Sequence, residues 1–147
     1  MKIALGCDHG GIVLKESIVD FLKAQGIEVC DFGCYDTQSV HYPVYALAVA
    51  KAVASGECDK GILLCGTGIG MSIAANKVKG VRAAVVSDAF CAEKCAEHND
   101  ANVLCLGGRI LTPAQAAELV KIWLSTPFGG GRHAERVEMI KKIEAEE

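Results

Sequence analysis

The sequence predicts an α/β protein: a three-layer α/β/α sandwich around a five-stranded, mostly parallel, Rossmann-like sheet. Hydrophobic residues make up 51% of the chain and aromatic residues only 5%, so the core must consist of Ala, Val, Ile and Leu. Five short apolar segments lack a clean polar–apolar alternation, which is typical of strands buried on both faces. Helical patterns lie between these segments, and this order favours right-handed crossovers.

The predicted strands are residues 3–7, 28–32, 61–65, 82–86 and 102–106. Apolar residues recur at helical spacing over 14–25, and Gly26 is suited to cap the end of that helix. The nearly apolar stretch 45–54 predicts a buried helix, with Pro43 near its first turn. The order of these elements is strand, helix, strand, helix, as the predicted sandwich requires.

Two helices are predicted after the last strand. Thr112 and Gln115 have the spacing of a capping box, which marks the start of the first one. Three glycines at 129–131 separate it from a charged helix predicted over 132–143. The chain contains no internal repeat and no interdomain linker, so we expect residues 1–147 to form a single domain.

Charge and hydropathy exclude several classes of partner. The net charge is −3, and no run of five like charges occurs that would indicate a nucleic-acid or basic membrane-binding surface. No segment approaches the roughly 18 apolar residues of a membrane span, and the N terminus lacks the features of a signal peptide. We therefore expect a cytoplasmic protein without nucleic-acid or membrane partners.

The eight cysteines are expected to be free thiols that pack as small hydrophobic side chains in a reducing compartment. Cys30 and Cys34 are separated by three residues, and so are Cys91 and Cys95. Zinc ribbons and thioredoxin-like sites instead use a CxxC spacing. The cysteine pattern therefore predicts no metal site.

Polar residues follow four of the five predicted strands, where the ligands of parallel α/β sheets bind. They are Asp8 and His9 after the first strand, Cys65 to Thr67 after the third, Ser87 and Asp88 after the fourth, and Arg109 after the fifth. Because the carboxyl ends of parallel strands share one edge of the sheet, we expect the binding site there.

The glycine-rich turn at 66–70 joins the third predicted strand to a helix. Its backbone N–H groups and the helix dipole favour an anion, including the thiolate of Cys65, which would serve as a nucleophile or a general base. The alternative is that Cys65 is one more buried hydrophobic side chain. Met71 stands where the third glycine of GxGxxG would be, so the turn is a poor match to a dinucleotide site.

Histidines and arginines supply further candidate groups. His9 and His98 lie in polar, turn-forming stretches and can pass protons near neutral pH, although such residues are also common as purely structural groups. Arg132 and Arg136 project from one helix face, which suits a phosphate or simply a solvated surface. Arg109 would add a third positive charge. Together with the thiol, these groups indicate proton transfer on a small phosphorylated substrate.

Taken in order, these motifs resemble the ribose-5-phosphate isomerase B family, which includes allose- and galactose-6-phosphate isomerases. The matching segments are residues 8–11, 65–70, 72–77, 97–102, 107–109 and 130–133. The resemblance implies an aldose–ketose isomerase that interconverts ribose 5-phosphate and ribulose 5-phosphate. It also implies that no metal or organic cofactor is needed.

The resemblance assigns catalytic roles to four residues. Cys65 would move a proton between C1 and C2 through a cis-enediolate, and Thr67 would orient the substrate or relay a proton. His98 would open the furanose ring, and Asp8 would handle hydroxyl protons. The N–H groups expected to stabilise the intermediate belong to the turn glycines Gly66, Gly68 and Gly70.

By the same resemblance, Asn99 would hold a substrate oxygen and Tyr42 would flank the sugar. The groups expected to bind phosphate are His9, Arg109, Arg132 and Arg136. Members of the family form homodimers, often paired into tetramers, with an active site shared across the dimer. The resemblance therefore predicts that the last helix exchanges with a partner or packs across the dimer.

One departure from the family pattern concerns substrate choice. The family usually has Asp-Tyr-Pro-Asp where this chain has His41 and Val44 around Tyr42 and Pro43. A hexose 6-phosphate such as allose or galactose 6-phosphate is therefore the nearest alternative substrate. A non-catalytic phosphosugar-binding module is a second alternative. A thiol oxidoreductase fits less well, because no resolving cysteine lies near Cys65 in the sequence.

Overall fold

The computed structural model describes all 147 residues and contains five strands and six helices. The strands are β1 (Lys2–Cys7), β2 (Glu28–Asp31), β3 (Lys60–Cys65), β4 (Ala83–Val85) and β5 (Val103–Gly107). The helices are α1 (Ile12–Ala24), α2 (Tyr42–Ala54), α3 (Ile69–Ala75), α4 (Ala89–Glu97), α5 (Pro113–Ser125) and α6 (Arg132–Glu146). The predicted α/β class is confirmed, and every strand lies within one residue of its predicted bounds at each end.

All strand pairs are parallel, in the order β2-β1-β3-β5-β4. The chain first adds β2 to one side of β1 and then crosses to add β3 on the other side. This change of direction leaves a crevice between β1 and β3, at the carboxyl ends of the two strands. Cys7 pairs with Leu64, and Cys65 pairs with Gly107, so these strand ends form a common edge.

Helices cover both faces of the sheet because alternate strand residues point to opposite sides. One layer contains α1, α4 and α5, whose apolar faces enclose Ile62, Leu64 and Trp123. The other layer contains α2 and α3, which pack on Leu63 and Cys65. The side chain of Cys65 therefore points toward the layer that contains α3, the helix that follows β3 in the chain.

The structure corrects the expected extent and burial of α2. This helix begins at Tyr42, three residues before the apolar stretch, because Pro43 occupies its first turn and His41 is extended. Val44 and Leu47 are exposed, so the helix is buried on one face and not all round. The capping box between Thr112 and Gln115 is present as predicted.

The last helix, α6, is mostly exposed. It begins after Gly131, whose φ is +54°, and Val137 is its one buried side chain. The backbone N–H of Gly80 donates to Glu144 Oε1 at 2.9 Å, which ties the helix to the segment before β4. Helix α6 ends three residues beyond its predicted end.

None of the six helices has the length and apolar character that a membrane span requires.

Candidate active site

Cys65 ends β3 and lies at the start of the glycine turn. It is 5% exposed, and its Sγ accepts a hydrogen bond from the Gly68 backbone N–H at 3.0 Å. Gly68 has a φ of +81°, a conformation that only glycine adopts readily, and α3 begins at the next residue. The turn therefore bends the backbone so that an N–H group points back at the sulfur.

The glycine turn has unpartnered hydrogen-bond donors. The N–H groups of Gly66, Thr67 and Gly70 donate to no acceptor within the chain, whereas those of Gly68 and Ile69 do. Unpartnered backbone donors before the first turn of a helix are ready to bind an anion. Next to the sulfur there is thus a place where negative charge on an oxygen would be stabilised.

Close packing explains why this turn needs small residues. A Cβ on Gly107 would lie 2.8 Å from the Thr67 backbone, and one on Gly68 would lie 3.1 Å from the Leu106 backbone. A Cβ on Gly107 would need a backbone shift, and one on Gly68 would be in tight contact, because the turn rests directly on the end of β5. The small residues Gly107 and Gly108 at the end of β5 therefore allow the turn after β3 to pack closely against this strand.

Asp8 and His9 stand beside Cys65 at the end of β1. Asp8 is buried, and its Oδ1 accepts the N–H groups of Gly10 at 2.8 Å and Gly11 at 3.0 Å. His9 Nδ1 accepts the Val40 N–H at 3.2 Å, so its proton is on Nε2, which remains a donor. One oxygen of Asp8 thus holds the loop, while His9 presents a donor to a ligand.

Two more predicted residues contact the glycine turn, and a third, Thr67, is part of it. The Tyr42 ring packs on Gly70, where an added Cβ would come within 2.6 Å of Cε1. Arg109 Nη1 would lie 3.2 Å from a Cβ on Gly66. Thr67 is exposed, and its Oγ1 accepts the Ile69 N–H at 3.2 Å.

We call these residues the carboxyl rim. They are Asp8, His9, Tyr42, Cys65 to Gly70, and Arg109. A cleft of about 300 Å³ opens beside the rim between Thr67 and the ends of β4 and β5.

The remaining predicted residues form a second group together with Glu97 and His133, which were not predicted, and we call this group the C-terminal cluster. Its members are Glu97, His98, Asn99, Arg132, His133 and Arg136. The rings of His98 and His133 stack with centroids 4.1 Å apart and an interplanar angle of 13°. Asn99 lines a groove of about 810 Å³ between α6 and the edge strand β4. Sequence reasoning missed the role of His133, although its place one residue after Arg132 puts it on the same first turn of α6.

The carboxyl rim and the C-terminal cluster lie at opposite ends of the sheet. His98 caps the end of α4, and Asn99 and Asp100 accept hydrogen bonds from Arg82 just before β4 begins. The chain then passes through the five residues of β5, about 13 Å over four residue steps, before it reaches the level of Cys65. Within one chain, the structure therefore does not bring His98 to Cys65.

Charge around the C-terminal cluster changes two pKa values. A hydrogen bond from Lys94 lowers the pKa of Glu97, and nearby His98 and His133 contribute to the same shift. Loss of solvent lowers the pKa of His133, and the nearby His98, Arg132 and Arg136 lower it further. Glu97 is therefore ionised and His133 neutral at neutral pH.

Burial raises the pKa of several other thiols, so that little thiolate forms. It raises the pKa of Cys7 to about 12, with nearby Cys34 contributing, and that of Cys95 to about 11. Burial also raises the pKa of Cys105, and the neighbouring Cys65 contributes. These thiols stay protonated at neutral pH, as expected for cysteines that serve as packing residues.

The parallel sheet, its switch-point crevice and the thiol beside a donor-rich turn define an α/β protein with a candidate small-molecule site at the carboxyl edge of the sheet. A family model described as Ribose/Galactose Isomerase matches residues 3–140. The chain belongs to this family.

Named relatives match almost the whole chain. Ribose-5-phosphate isomerase B of Escherichia coli is 50% identical over 97% of this chain and 96% of its own. The structure of Clostridium thermocellum ribose-5-phosphate isomerase B has a TM-score of 0.97 and 55% identity, covering 99% of both chains. The Mycoplasma genitalium enzyme, solved with bound ribulose-5-phosphate, has a TM-score of 0.95 and 40% identity, covering 99% of this chain and 97% of that one.

Proposed function

We propose that this chain is a single-domain aldose–ketose isomerase that interconverts ribose 5-phosphate and ribulose 5-phosphate. The observation that carries the proposal is the thiol of Cys65 held 3.0 Å from the Gly68 N–H, beside N–H groups that have no partner. A base next to an oxyanion site is what enolisation of a sugar requires. The named relatives support the choice of a pentose phosphate.

In the proposed reaction, the thiolate of Cys65 removes the proton from C2 of the open-chain aldose. The electron pair of that C–H bond forms the C1–C2 double bond, and the carbonyl electrons move onto the C1 oxygen. The N–H groups of Gly66 and Gly70 stabilise this negative oxygen. Return of the proton to C1, with transfer of a hydroxyl proton by Asp8 or Thr67, gives the ketose.

The other proposed roles need a second copy of the chain. His98 would open the furanose ring, Asn99 would hold a substrate oxygen, and Arg132 with Arg136 would bind the phosphate. These groups lie at the opposite end of the sheet from Cys65. We therefore propose a homodimer in which the C-terminal cluster of one chain faces the carboxyl rim of the other.

Exposed apolar side chains support this assembly. One group lies on α2, α3 and β4 near the carboxyl rim and consists of Val44, Leu47, Ile69, Ile73 and Val85. The other group lies on α6 and consists of Met139, Ile140 and Ile143. Apolar surface of this kind is typical of an interface between protein chains. In a two-fold dimer each patch is used twice, so two complete sites form.

A substrate panel tests the proposal. We expect kcat/KM for ribose 5-phosphate to exceed that for allose 6-phosphate and galactose 6-phosphate, with free ribose poorest because it lacks the phosphate. A strong preference for a hexose phosphate would keep the isomerase assignment but change its substrate, in line with the departure from the family pattern at His41 and Val44. Binding of ribose 5-phosphate without turnover would leave only a phosphosugar-binding module.

A further inference from the structure

Three side chains of the C-terminal cluster have the composition of a metal site. Glu97, His98 and His133 each offer one ligand atom, and these atoms lie within 4.8 Å of one another. We call them the Glu97–His98–His133 triad. Two imidazoles and a carboxylate with an open fourth position are a common ligand set for Zn²⁺. No other three His, Cys, Asp or Glu side chains of the chain bring their ligand atoms within 4.8 Å of one another.

The distances are close to those that a metal ion requires. Tetrahedral zinc with bonds near 2.05 Å places neighbouring ligand atoms roughly 3.4 Å apart. His98 Nε2 already lies 3.5 Å from Glu97 Oε1. The two imidazole rings are stacked and must turn their edges toward a common ion. Both side chains are partly exposed, so an ion can reach them from solvent.

The backbone holds the three residues in place. The Gly129 N–H donates to the Glu97 carbonyl oxygen at 2.9 Å, which joins the end of α4 to the segment before α6. Lys94 Nζ binds Glu97 Oε2 at 3.1 Å, which leaves Oε1 toward His98. One carboxylate oxygen is thus anchored and the other is available, as in metal sites whose ligands are oriented by outer hydrogen bonds.

We propose that the Glu97–His98–His133 triad binds one divalent transition-metal ion of the Zn²⁺ type per chain, and that this ion reversibly inhibits the isomerase. Inhibition follows because the ion occupies a nitrogen of His98 that ring opening needs. This second part rests on the proposed function of His98. The binding part rests on the geometry alone.

Competition with a chromogenic zinc chelator tests binding on the full-length protein. We expect one Zn²⁺ per chain, and His133→Asn and Glu97→Gln should each weaken binding by more than the roughly 10- to 100-fold that loss of an outer-shell partner costs. The matched controls are Glu93→Gln, which removes the other carboxylate that binds Lys94, and His41→Asn. Equal zinc affinity in the triad variants and the wild type would overturn the site.

Cobalt distinguishes the triad from the eight thiols. Co²⁺ bound by two imidazoles and a carboxylate shows no thiolate-to-metal charge-transfer band, whereas Co²⁺ on cysteine does. We expect the Co²⁺ spectrum of the wild type to lack this band and His133→Asn to lose the bound-ion signal. A thiolate band that persists in His133→Asn would place the ion on cysteines such as exposed Cys91 and would refute the proposal.

Activity assays test inhibition separately. Zn²⁺ should inhibit the wild type, EDTA should restore the rate, and His133→Asn should need a zinc concentration higher by the factor measured for binding. Each variant is compared with its own metal-free rate. Zinc bound at the triad without inhibition would refute the inhibitory role. Zinc bound at the triad of a protein with no metal-free isomerase activity would refute the proposed function and leave the metal site standing.

Discussion

The Gly68 backbone N–H donates a 3.0 Å hydrogen bond to Cys65 Sγ across a turn of four residues. This contact depends on the positive φ of Gly68, which reverses the chain directly after β3. The thiol and the unpartnered N–H groups therefore share one rigid turn. A base and an oxyanion site that are fixed together need little rearrangement during proton transfer.

Removal of the thiol tests its role as the base. We expect Cys65→Ala to lower kcat by roughly 10²- to 10⁴-fold, the usual contribution of a general base, with little change in the Kd for ribose 5-phosphate. Cys91→Ala removes an exposed thiol on α4 and should leave both constants unchanged. Steady-state kinetics and calorimetric titration measure the two effects. Normal turnover by Cys65→Ala would show that another group is the base.

Two glycines separate backbone strain from catalysis. Gly68 has φ +81° and Gly80 has φ +90°, so Ala at either position costs roughly 1–2 kcal/mol of folding free energy. A Cβ on Gly80 meets only Ala54 at 3.9 Å, whereas one on Gly68 meets the Leu106 backbone at 3.1 Å. We expect Gly68→Ala to lose activity and Gly80→Ala to keep it. Denaturant unfolding and kcat are measured on both, and equal activities would contradict a catalytic role for the turn.

The arginines of α6 are expected to act on the phosphate. Loss of a hydrogen bond to a charged group costs about 1.5–3 kcal/mol, so Arg136→Ala should raise KM for ribose 5-phosphate roughly ten- to hundredfold. Binding of free ribose should hardly change. Lys142→Ala, which removes another exposed cation from the same helix, is the control. Equal losses for the free and the phosphorylated sugar would count against a phosphate contact.

Mixed dimers test whether the site is shared. Cys65→Ala and His98→Asn should each be nearly inactive as homodimers. Co-refolding equal amounts of the two variants should restore about one quarter of wild-type activity, because half of the dimers are mixed and each mixed dimer has one intact site.

A second mixture controls for the refolding step. Cys65→Ala refolded with Gly68→Ala should regain nothing beyond the sum of its parts, because both changes damage the same rim. A mixture of Cys65→Ala and His98→Asn that stays inactive would mean that Cys65 and His98 do not act together from different chains.

Asp88 provides a prediction about pH. Its Oδ1 accepts the Cys91 N–H at 2.7 Å at the start of α4, and this hydrogen bond lowers the pKa of Asp88 below its ordinary value. The ionised cap therefore stabilises the fold above the unfolded-state pKa, and this stabilisation disappears as pH falls through the lower folded-state pKa.

The unfolding free energies of the wild type and Asp88→Ala should therefore converge between about pH 5 and about pH 2. Chemical denaturation at several pH values measures this difference. Asp20→Ala removes an exposed carboxylate on α1 that makes no hydrogen bond, and it should show no such trend. A gap between wild type and Asp88→Ala that stays constant with pH would contradict the cap.

Local patterns predicted most of the elements. Continuous apolar runs located β1, β3 and β5, because strands covered on both faces carry few polar residues. The edge strands β2 and β4 are only partly buried, and their shorter apolar runs still located them. The side-chain chemistry of Thr112 and Gln115 predicted the start of α5. The apolar stretch that predicted α2 begins three residues after the start of the helix, since Tyr42 to Val44 form the first turn without being buried, and Pro43 lies in that turn as expected. Burial is a tertiary property that the apolar pattern alone does not report.

The sequence by itself determined the α/β class, the strands, and the thiol in a glycine turn, because these depend on neighbouring residues and on backbone conformation. Only the tertiary structure decided which functional groups meet. It placed His133 on His98, and Tyr42 against Gly70, through contacts between distant segments. It also separated His98 from Cys65 by the height of a parallel sheet, because α4 returns the chain to the sheet's amino end.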